Sequence, residues 1–419
     1  MIEHIRVKGY RLFKDFETKL QPGINVLIGA NATGKSTLVE LLRIVQSCCL
    51  GSLRRAIEPR GLPGEVFRPD GPAELVIGLT TSVARGRGGH CGCHYGLRID
   101  GPAASPTIAA EALSRLGPAP KGRGRLYSAE LRRAIPTPPR PYRLLFSRLR
   151  DRALVYEQPV ASSTRPLRLQ MGEDKPALSE MTDTRLKDAW GFRADVLSWR
   201  FHAELVVHRT APLREPQPMG RGGEMDERGQ NLAPALLSLF TNIEYREQRD
   251  DVLRYLRLAF PEFESLTPTT DFSSKYALLQ WREGDLGLTL SGADVSDGML
   301  RFLALAVMCC NPHPPSLLCV DEPEVGLHPR VLPIVGAMLR RAARKSQVIV
   351  LTHSPELLHG MPLESIGVMR REEGEARIVW PSHHKLLREI VTEEVAGETE
   401  VNYERLSQAF ISGEMDTLG

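Results

Sequence analysis

Along residues 2–20, Ile2, Ile5 and Val7, then Leu12, Phe13, Phe16 and Leu20, alternate with polar positions, which predicts two strands. Ile24-Asn25-Val26-Leu27-Ile28 reads as a buried strand, and Leu38, Leu41, Leu42 and Val45 recur at helical spacing just beyond it. From 54 to 70 the pattern is mixed, with Gly61, Pro63, Gly64 and Pro69 marking turns. Residues 73–79, 95–99 and 153–156 read as strands of an antiparallel meander. From 182 to 263 the period turns helical: Leu232, Leu236, Leu239 and Phe240 share one face, Val252, Leu256 and Ala259 another, and Pro261 stops the second run. Apolar stretches 277–281 and 286–290 flank Glu283-Gly284-Asp285 as a hairpin. Ser296-Asp297-Gly298 then opens an apolar helix carrying Leu300, Leu303, Ala304 and Val307. A short apolar strand at 317–320, a helix with Leu332, Val335, Leu339 and Ala342, and a strand at 347–351 complete the pattern.

Length and composition set this pattern in a class. The 419 residues suffice for two or three lobes, and 42% hydrophobic with 25% charged residues is ordinary for a soluble globular protein. Seven cysteines, odd in number and mostly inside apolar runs, fit reduced thiols in a cytoplasmic protein. Met1-Ile2-Glu3-His4-Ile5-Arg6 lacks the apolar core of a signal peptide, and no apolar run approaches bilayer-spanning length, so no membrane partner is expected.

The net charge of +3 is unevenly spread. From Arg115 to Arg152 eleven Lys/Arg stand against Glu130 and Asp151, giving +9 and leaving −6 for the remainder. Two readings stay open: a solvated surface, or a contact surface for a nucleic-acid phosphate backbone with salt-dependent binding. Tyr127, Tyr142 and Phe146, interleaved with the arginines, fit core strand positions equally well. In His90-Cys91-Gly92-Cys93-His94 a strand puts both thiols on one face and both histidines on the other, a poor match to a tetrahedral metal site, so a hairpin end is expected.

The strongest chemistry lies in Gly29-Ala30-Asn31-Ala32-Thr33-Gly34-Lys35-Ser36, which fits the phosphate-cradling pattern G-x-x-x-x-G-K-[ST]. The glycine spacing lets successive N–H groups turn toward one anion, and the following helix adds its N-terminus. Lys35 would reach the β- and γ-phosphates and the Ser36 hydroxyl would ligate Mg²⁺. Asp321-Glu322 ends the strand at 317–320; Asp321 would give Mg²⁺ a second anchor and Glu322 would polarise the attacking water. His353, at the end of the strand at 347–351, could contact the γ-phosphate. Ser296 caps its helix well and Gly298 permits close approach, which makes that N-terminus a second anion site.

Taken in order, Gly29 to Ser36, Ser296-Asp297-Gly298, Asp321-Glu322-Pro323, Gly326-Leu327-His328-Pro329 and Thr352-His353-Ser354 resemble the Walker A, signature, Walker B, D-loop and H-loop elements of ATP-binding-cassette-type ATPases. The version is similar to the RecF/SMC-like branch of AAA-family ATPases, also seen in OLD-type proteins. The opening Val7-Lys8-Gly9-Tyr10-Arg11-Leu12-Phe13-Lys14-Asp15-Phe16 and the helix from Ser296 to Ala306 resemble that branch too, whereas residues 80–225 carry little of the likeness. The chain departs from the pattern in several places. The signature is not the L-S-G-G-Q of transporters, and no Q-loop can be placed, with Gln46 on the loop helix and Phe67-Arg68 in the approximate region. Heptad arms are absent. With 66 residues after His353 and Asp416 their sole aspartate, no TOPRIM nuclease domain is expected.

Pattern and resemblance together imply an α/β P-loop NTPase fold: an ATP-binding-cassette-like head with an antiparallel β lobe and a helical insertion. The expected division is 1–181 (P-loop and β-meander), 182–295 (helices and β-hairpin) and 296–419 (signature helix, Walker B and H-loop). The resemblance implies a head-to-tail homodimer with ATP held by Gly29, Asn31, Ala32, Thr33, Gly34, Lys35, Ser36 and Thr37 of one copy and by Ser296 and Gly298 of the other. Mg²⁺ would sit on Ser36 and Asp321; Lys35, Glu322 and His353 would carry hydrolysis. Three uses of such a switch compete: a DNA-associated ATPase in repair or anti-phage defence, a slow ATPase scaffold for a separately encoded effector such as a nuclease, and, disfavoured by the signature, a transporter subunit.

Overall fold

The computed structural model describes residues 1–51, 67–68, 73–85, 89–101, 105–117, 127–139, 141–156, 166–202, 205–219, 224–271, 275–284, 287–383, 392–395 and 398–405, with a few single residues between these stretches. In chain order the main elements are β1 (Ile2–Tyr10), β2 (Phe13–Lys19), β3 (Ile24–Ile28), α1 (Lys35–Cys49), β4 (Glu74–Arg85), β5 (Gly89–Asp100), β6 (Thr107–Leu116), α2 (Ala129–Ala134), β7 (Tyr142–Leu149), β8 (Arg152–Val155), β9 (Leu167–Gln170) and α3 (Lys187–Leu197). They continue with β10 (Arg200–His202), β11 (Gln217–Pro218), α4 (Leu232–Thr241), α5 (Arg246–Ala259), β12 (Phe263–Thr270), β13 (Tyr276–Glu283), β14 (Leu288–Ser291), α6 (Asp297–Cys309), β15 (Leu317–Asp321), α7 (Leu332–Ala342), β16 (Gln347–Thr352), β17 (Ile366–Glu372) and β18 (Glu375–Val379). The chain forms two units: Met1–Pro22, Ala30–Trp199 and Met369–Ile378; and Gly23–Gly29, Arg200–Val368 and Val379–Gly419.

The first unit is built on an eight-stranded antiparallel sheet, β2-β1-β4-β5-β6-β7-β8-β9. The expected meander is there. Alternation does the work in β2, where Phe13, Phe16 and Thr18 are buried and their neighbours exposed. The turn between β1 and β2 is fixed by Arg11, at φ 46°, whose guanidinium donates to Glu40 of α1 at 2.6 Å, and Tyr10 donates to the same carboxylate at 3.3 Å. Gln46, a Q-loop candidate, instead donates to the carbonyls of Val196 and Trp199 at 3.2 and 2.9 Å, closing the end of α3.

The eleven cations between Arg115 and Arg152 do not form one surface. Arg148 is fully buried, and Arg115 and Arg143 both turn onto the buried Asp188 at 3.3 and 2.9 Å. Arg132, Arg133, Arg150 and Arg152 are exposed; Lys121, Arg123, Arg125 and Arg140 lie outside the described residues. Tyr127, Tyr142 and Phe146 are core residues. The His90–His94 stretch belongs to β5. There His94 is buried, with Nδ1 3.0 Å from Thr80 Oγ1 and Nε2 3.2 Å from Pro136 O. No group of histidine, cysteine, aspartate and glutamate among the described residues is arranged to hold a metal.

The second unit carries a parallel sheet in the order β10-β15-β16-β3-β17. β17 enters the first unit at Met369 and β18 follows it there. β3 and β16 are buried at every position, as strands covered on both faces must be. Leu236, Val252, Leu256, Leu303, Val335 and Leu339 join Val26 and Val350 in one core. α6 is buried almost all round rather than along a single face, since Phe302, Leu305 and Ala306 are buried beside Leu300, Leu303, Ala304 and Val307. As the stop at Pro261 implied, α5 ends at Ala259; from Phe263 the chain is strand β12, paired with β13. β14 returns along β13 with Gln280 opposite Ser291, as the hairpin pattern implied.

Candidate functional site

In register, Asp321 of β15 lies opposite Leu351 of β16, and Thr352 opposite Ile28 of β3. The C-terminal ends of three neighbouring parallel strands therefore share one sheet edge, the edge where open α/β sheets take their ligands. The Gly29–Ser36 loop follows directly from β3, and α1 begins at Lys35.

Within the loop, Gly34 has φ 104°, and a Cβ there would lie 3.0 Å from the Ala376 side chain. Both conformation and space require glycine. Ala32 sits at φ 61°, a left-handed conformation that alanine adopts only under constraint. Lys35 is 5% exposed and its Nζ donates to Ala30 O at 3.0 Å; Thr33 Oγ1 donates to the same carbonyl at 2.9 Å. Asn31, Ala32 and Ser36 are exposed on the loop, while Gly29, Thr33, Gly34 and Thr37 are buried. Gly34, the N-cap of α1, brings no side chain to the helix end. The cradle suits a phosphate, which would receive the helix N-terminus.

At the other group of motifs Asp321 is half-buried. Glu322 is held at φ 52°, with its N–H donating to Leu351 O at 2.8 Å. A non-glycine residue in that conformation is strained, and strain of this kind clusters at sites of chemistry. His353 Nε2 lies 2.9 Å from Glu322 Oε1, with both side chains about one-third exposed. Glu324, which the sequence reading passed over, makes this arrangement rigid. Its Oε1 accepts from Thr352 Oγ1 at 2.6 Å, from His353 N at 2.7 Å and from Ser354 N at 3.1 Å. Its place in Asp-Glu-Pro-Glu, one turn after the strand end, was the available signal. A cavity of about 20 Å³, room for about one water, lies beside the acidic pair and is lined by His202, Arg301, Val320, Asp321, Glu322 and Pro323.

Ser296 caps α6, its Oγ accepting from Met299 N at 3.3 Å. At Gly298 a Cβ would stand 3.2 Å from Gly326 O of the D-loop stretch. Gly326 itself has φ 74° and is closed in by Arg301. The oxygen donors Ser36 and Asp321 are of the hard kind Mg²⁺ takes.

These features belong to the P-loop NTPase fold class. Residues 171–359 match the family model described as "AAA domain, putative AbiEii toxin, Type IV TA system", and residues 1–48 match an AAA ATPase domain model. The fold is similar to that of an SMC head solved with the C-winged helix domain of ScpA, at TM-score 0.52 and 13% identity over 90% of this chain and 97% of that one. The Nod factor export ATP-binding protein I of Rhizobium leguminosarum bv. viciae is 31% identical over 121 residues, 28% of this chain and 36% of that protein. The DNA replication and repair protein RecF of Lacticaseibacillus casei (strain BL23) is 32% identical over 93 residues, 20% of this chain and 25% of that protein. The chain thus spans about a third or less of the length of these curated relatives. It carries AAA-type ATPase domains on an SMC-like ATPase-head fold, as the RecF/SMC-like resemblance of its motifs implied. No helix among the described residues is long and apolar enough to cross a membrane.

Proposed function

We propose that the protein is a Mg²⁺-dependent ATP hydrolase that closes as a head-to-tail homodimer on ATP and acts on DNA, in repair or in anti-phage defence, in the cytoplasm. The observation that supports hydrolysis most directly is the Glu322–His353 pair at 2.9 Å, held at the end of parallel strands by Glu324. When bound, Mg²⁺ would supply positive charge to the phosphate oxygens. Ser36 and Asp321 would hold it, Lys35 and the loop N–H groups would position the phosphates, and His353 would orient Glu322. Glu322 would take a proton from the attacking water. Ser296 and Gly298 would complete the site of the opposite copy. The working division of the chain remains 1–181, 182–295 and 296–419. The similarity to a DNA replication and repair protein, RecF, and the match to a family described as a putative toxin favour a genome-directed use. The match to a toxin family also favours the second reading, a slow ATPase scaffold holding a separately encoded effector.

ATP turnover and binding by the purified protein test the first reading. Lys35→Ala is expected to abolish nucleotide binding, and Glu322→Gln to retain it while turnover falls about 10²- to 10⁴-fold. Wild-type turnover in Glu322→Gln would remove Glu322 as the base.

A further inference from the structure

Arg214 ends a short 3-10 turn, Pro212–Arg214, and its side chain is only 5% exposed. Its Nε donates to Val207 O at 2.8 Å. Its Nη1 donates to Gly292 O and Ala293 O, each at 3.2 Å, and to Val295 O at 2.6 Å, while Nη2 meets Asp297 Oδ1. Four carbonyls and one carboxylate converge on a single guanidinium, and four of those five acceptors lie between residues 292 and 297. That segment is the run into the signature motif and the first residue of α6. The backbone closes on the same point, because a Cβ on Gly292 would lie 3.1 Å from Arg214 O. Asp297, by contrast, is 62% exposed. The anion stays at the surface in the first turn of α6, where the helix dipole favours it, and the cation lies buried.

We propose that Arg214 is a positioning residue for the signature loop, fixing residues 292–297 in the shape that presents Ser296 and the start of α6 to the ATP bound by a second copy of this chain. The inference rests on the head-to-tail reading above. The planar fork of an arginine can reach carbonyls on several sides at once; a lysine ammonium carries the charge without that geometry. Arg214 does not touch nucleotide in this role. It sets the shape of a loop whose own contacts would be made across the dimer.

The test uses the full chain on the Glu322→Gln background. Light scattering measures ATP-dependent dimerisation, a fluorescent ATP analogue measures the affinity of the monomer, and circular dichroism confirms folding. Arg214→Lys is expected to weaken dimerisation roughly tenfold or more, the effect of losing charge-assisted hydrogen bonds. Monomer ATP affinity should change by less than about twofold, as for a distant independent site. Asp297→Glu, which keeps the anion, should dimerise within about threefold of the parent. Dimerisation of Arg214→Lys at the parent's strength overturns the inference, and so does a parallel loss of monomer ATP affinity, which marks a global defect. Ser296→Arg separates the two layers. If it blocks dimerisation while Arg214→Lys does not, the inference alone falls; if neither matters, the head-to-tail reading falls and takes the inference with it. Should Arg214→Lys fail to fold, Asp297→Ala, at an exposed position, is judged by the same criteria.

Discussion

Arg148 in the first unit and Arg214 in the second each carry a guanidinium into the interior and direct it at main-chain carbonyls. Arg148 donates to Arg150 O at 2.6 Å, to Gly172 O at 2.7 Å, to Glu173 O at 3.2 Å and to Lys175 O. Its counter-ion, Glu111, lies 4.0 Å away and is as fully buried as Arg148 itself. Glu111 also accepts from Ala177 N, Leu178 N and Tyr95 OH. This is a closed network that fastens residues 172–178 to the sheet and offers nothing to solvent. Arg214 uses the same chemistry, but its counter-ion is an exposed aspartate inside a motif. Burial and carbonyl count are alike in the two; what separates a staple from a positioning residue is where the carboxylate ends up.

Breaking the closed network should have the largest effect. Arg148→Met leaves Glu111 buried without its cation, and a loss of about 3–5 kcal/mol of stability is expected. Burial already pushes the Glu111 carboxyl up, against the backbone donors of Ala177 and Leu178 and the charge of Arg148. A carboxyl whose folded pKa is raised favours the folded state at low pH and loses that contribution as pH rises through it. Denaturant unfolding of Arg148→Met should therefore show a larger penalty at pH 8 than at pH 5. A penalty independent of pH would mean that Glu111 is not what the arginine compensates.

His94 sharpens the contrast, because unlike an arginine it can shed its charge. Pro136 O can only accept, so Nε2 carries the proton and Nδ1 accepts from Thr80. Burial lowers the pKa to about 4. A base with a depressed folded pKa gives its full stability above the unfolded value near 6.5 and loses it as pH falls toward the folded one. The shift corresponds to about 3 kcal/mol lost over that window. His94→Gln, whose amide can both donate and accept, should flatten the pH dependence of stability there; an unchanged slope would assign the acid sensitivity to another group.

The phosphate loop was legible because its chemistry is contiguous: the residues from Gly29 to Ser36 carry both the turn and its ligands, and the flanking strand and helix confirm the context. Asp321, Glu322 and His353 were legible for a related reason, each standing at the end of an apolar run that had to be a buried strand. Arg214 was not, since four of its five partners lie about eighty positions away and carbonyls leave no mark in a sequence. Glu324 escaped because its partners are a hydroxyl and two backbone amides. Arg148 was misread as surface charge, although it shares the period-two phase of Tyr142, Leu144 and Phe146, and that phase faces the core.

A third expected effect concerns Glu324. Glu324→Gln keeps an oxygen for one or two donors but removes the charge that draws three onto a single atom. A kcat about tenfold below wild type is expected, about one charge-assisted hydrogen bond's worth of lost positioning. Steady-state ATP hydrolysis across pH checks it, and an unaltered kcat would leave Glu322 and His353 positioned by the strands alone.

The smallest effect should come from the arginines that stay outside. Arg132 and Arg133 lie exposed on α2, Arg132 with its Nε on Tyr127 O at 3.1 Å, whereas Arg115, Arg143 and Arg148 of the same basic stretch are turned onto a buried carboxylate or onto carbonyls inside the fold. Among the described residues, three of the stretch's cations are therefore committed within the fold rather than offered to a phosphate backbone. Each phosphate neutralised on duplex DNA adds about −0.9 to the slope of log affinity against log salt, about −0.7 on single strands. Replacing Arg132 and Arg133 with alanine should flatten the slope by roughly two units at most, with weak sequence preference throughout. Anisotropy titrations from about 50 to 200 mM salt resolve a change of that size. An identical slope in the double variant would make these two side chains solvated surface and shift the preference toward a protein effector as the partner. Arg148 cannot serve as the matching control, because it is fully buried and its loss is expected to lower the stability of the sheet that carries the others.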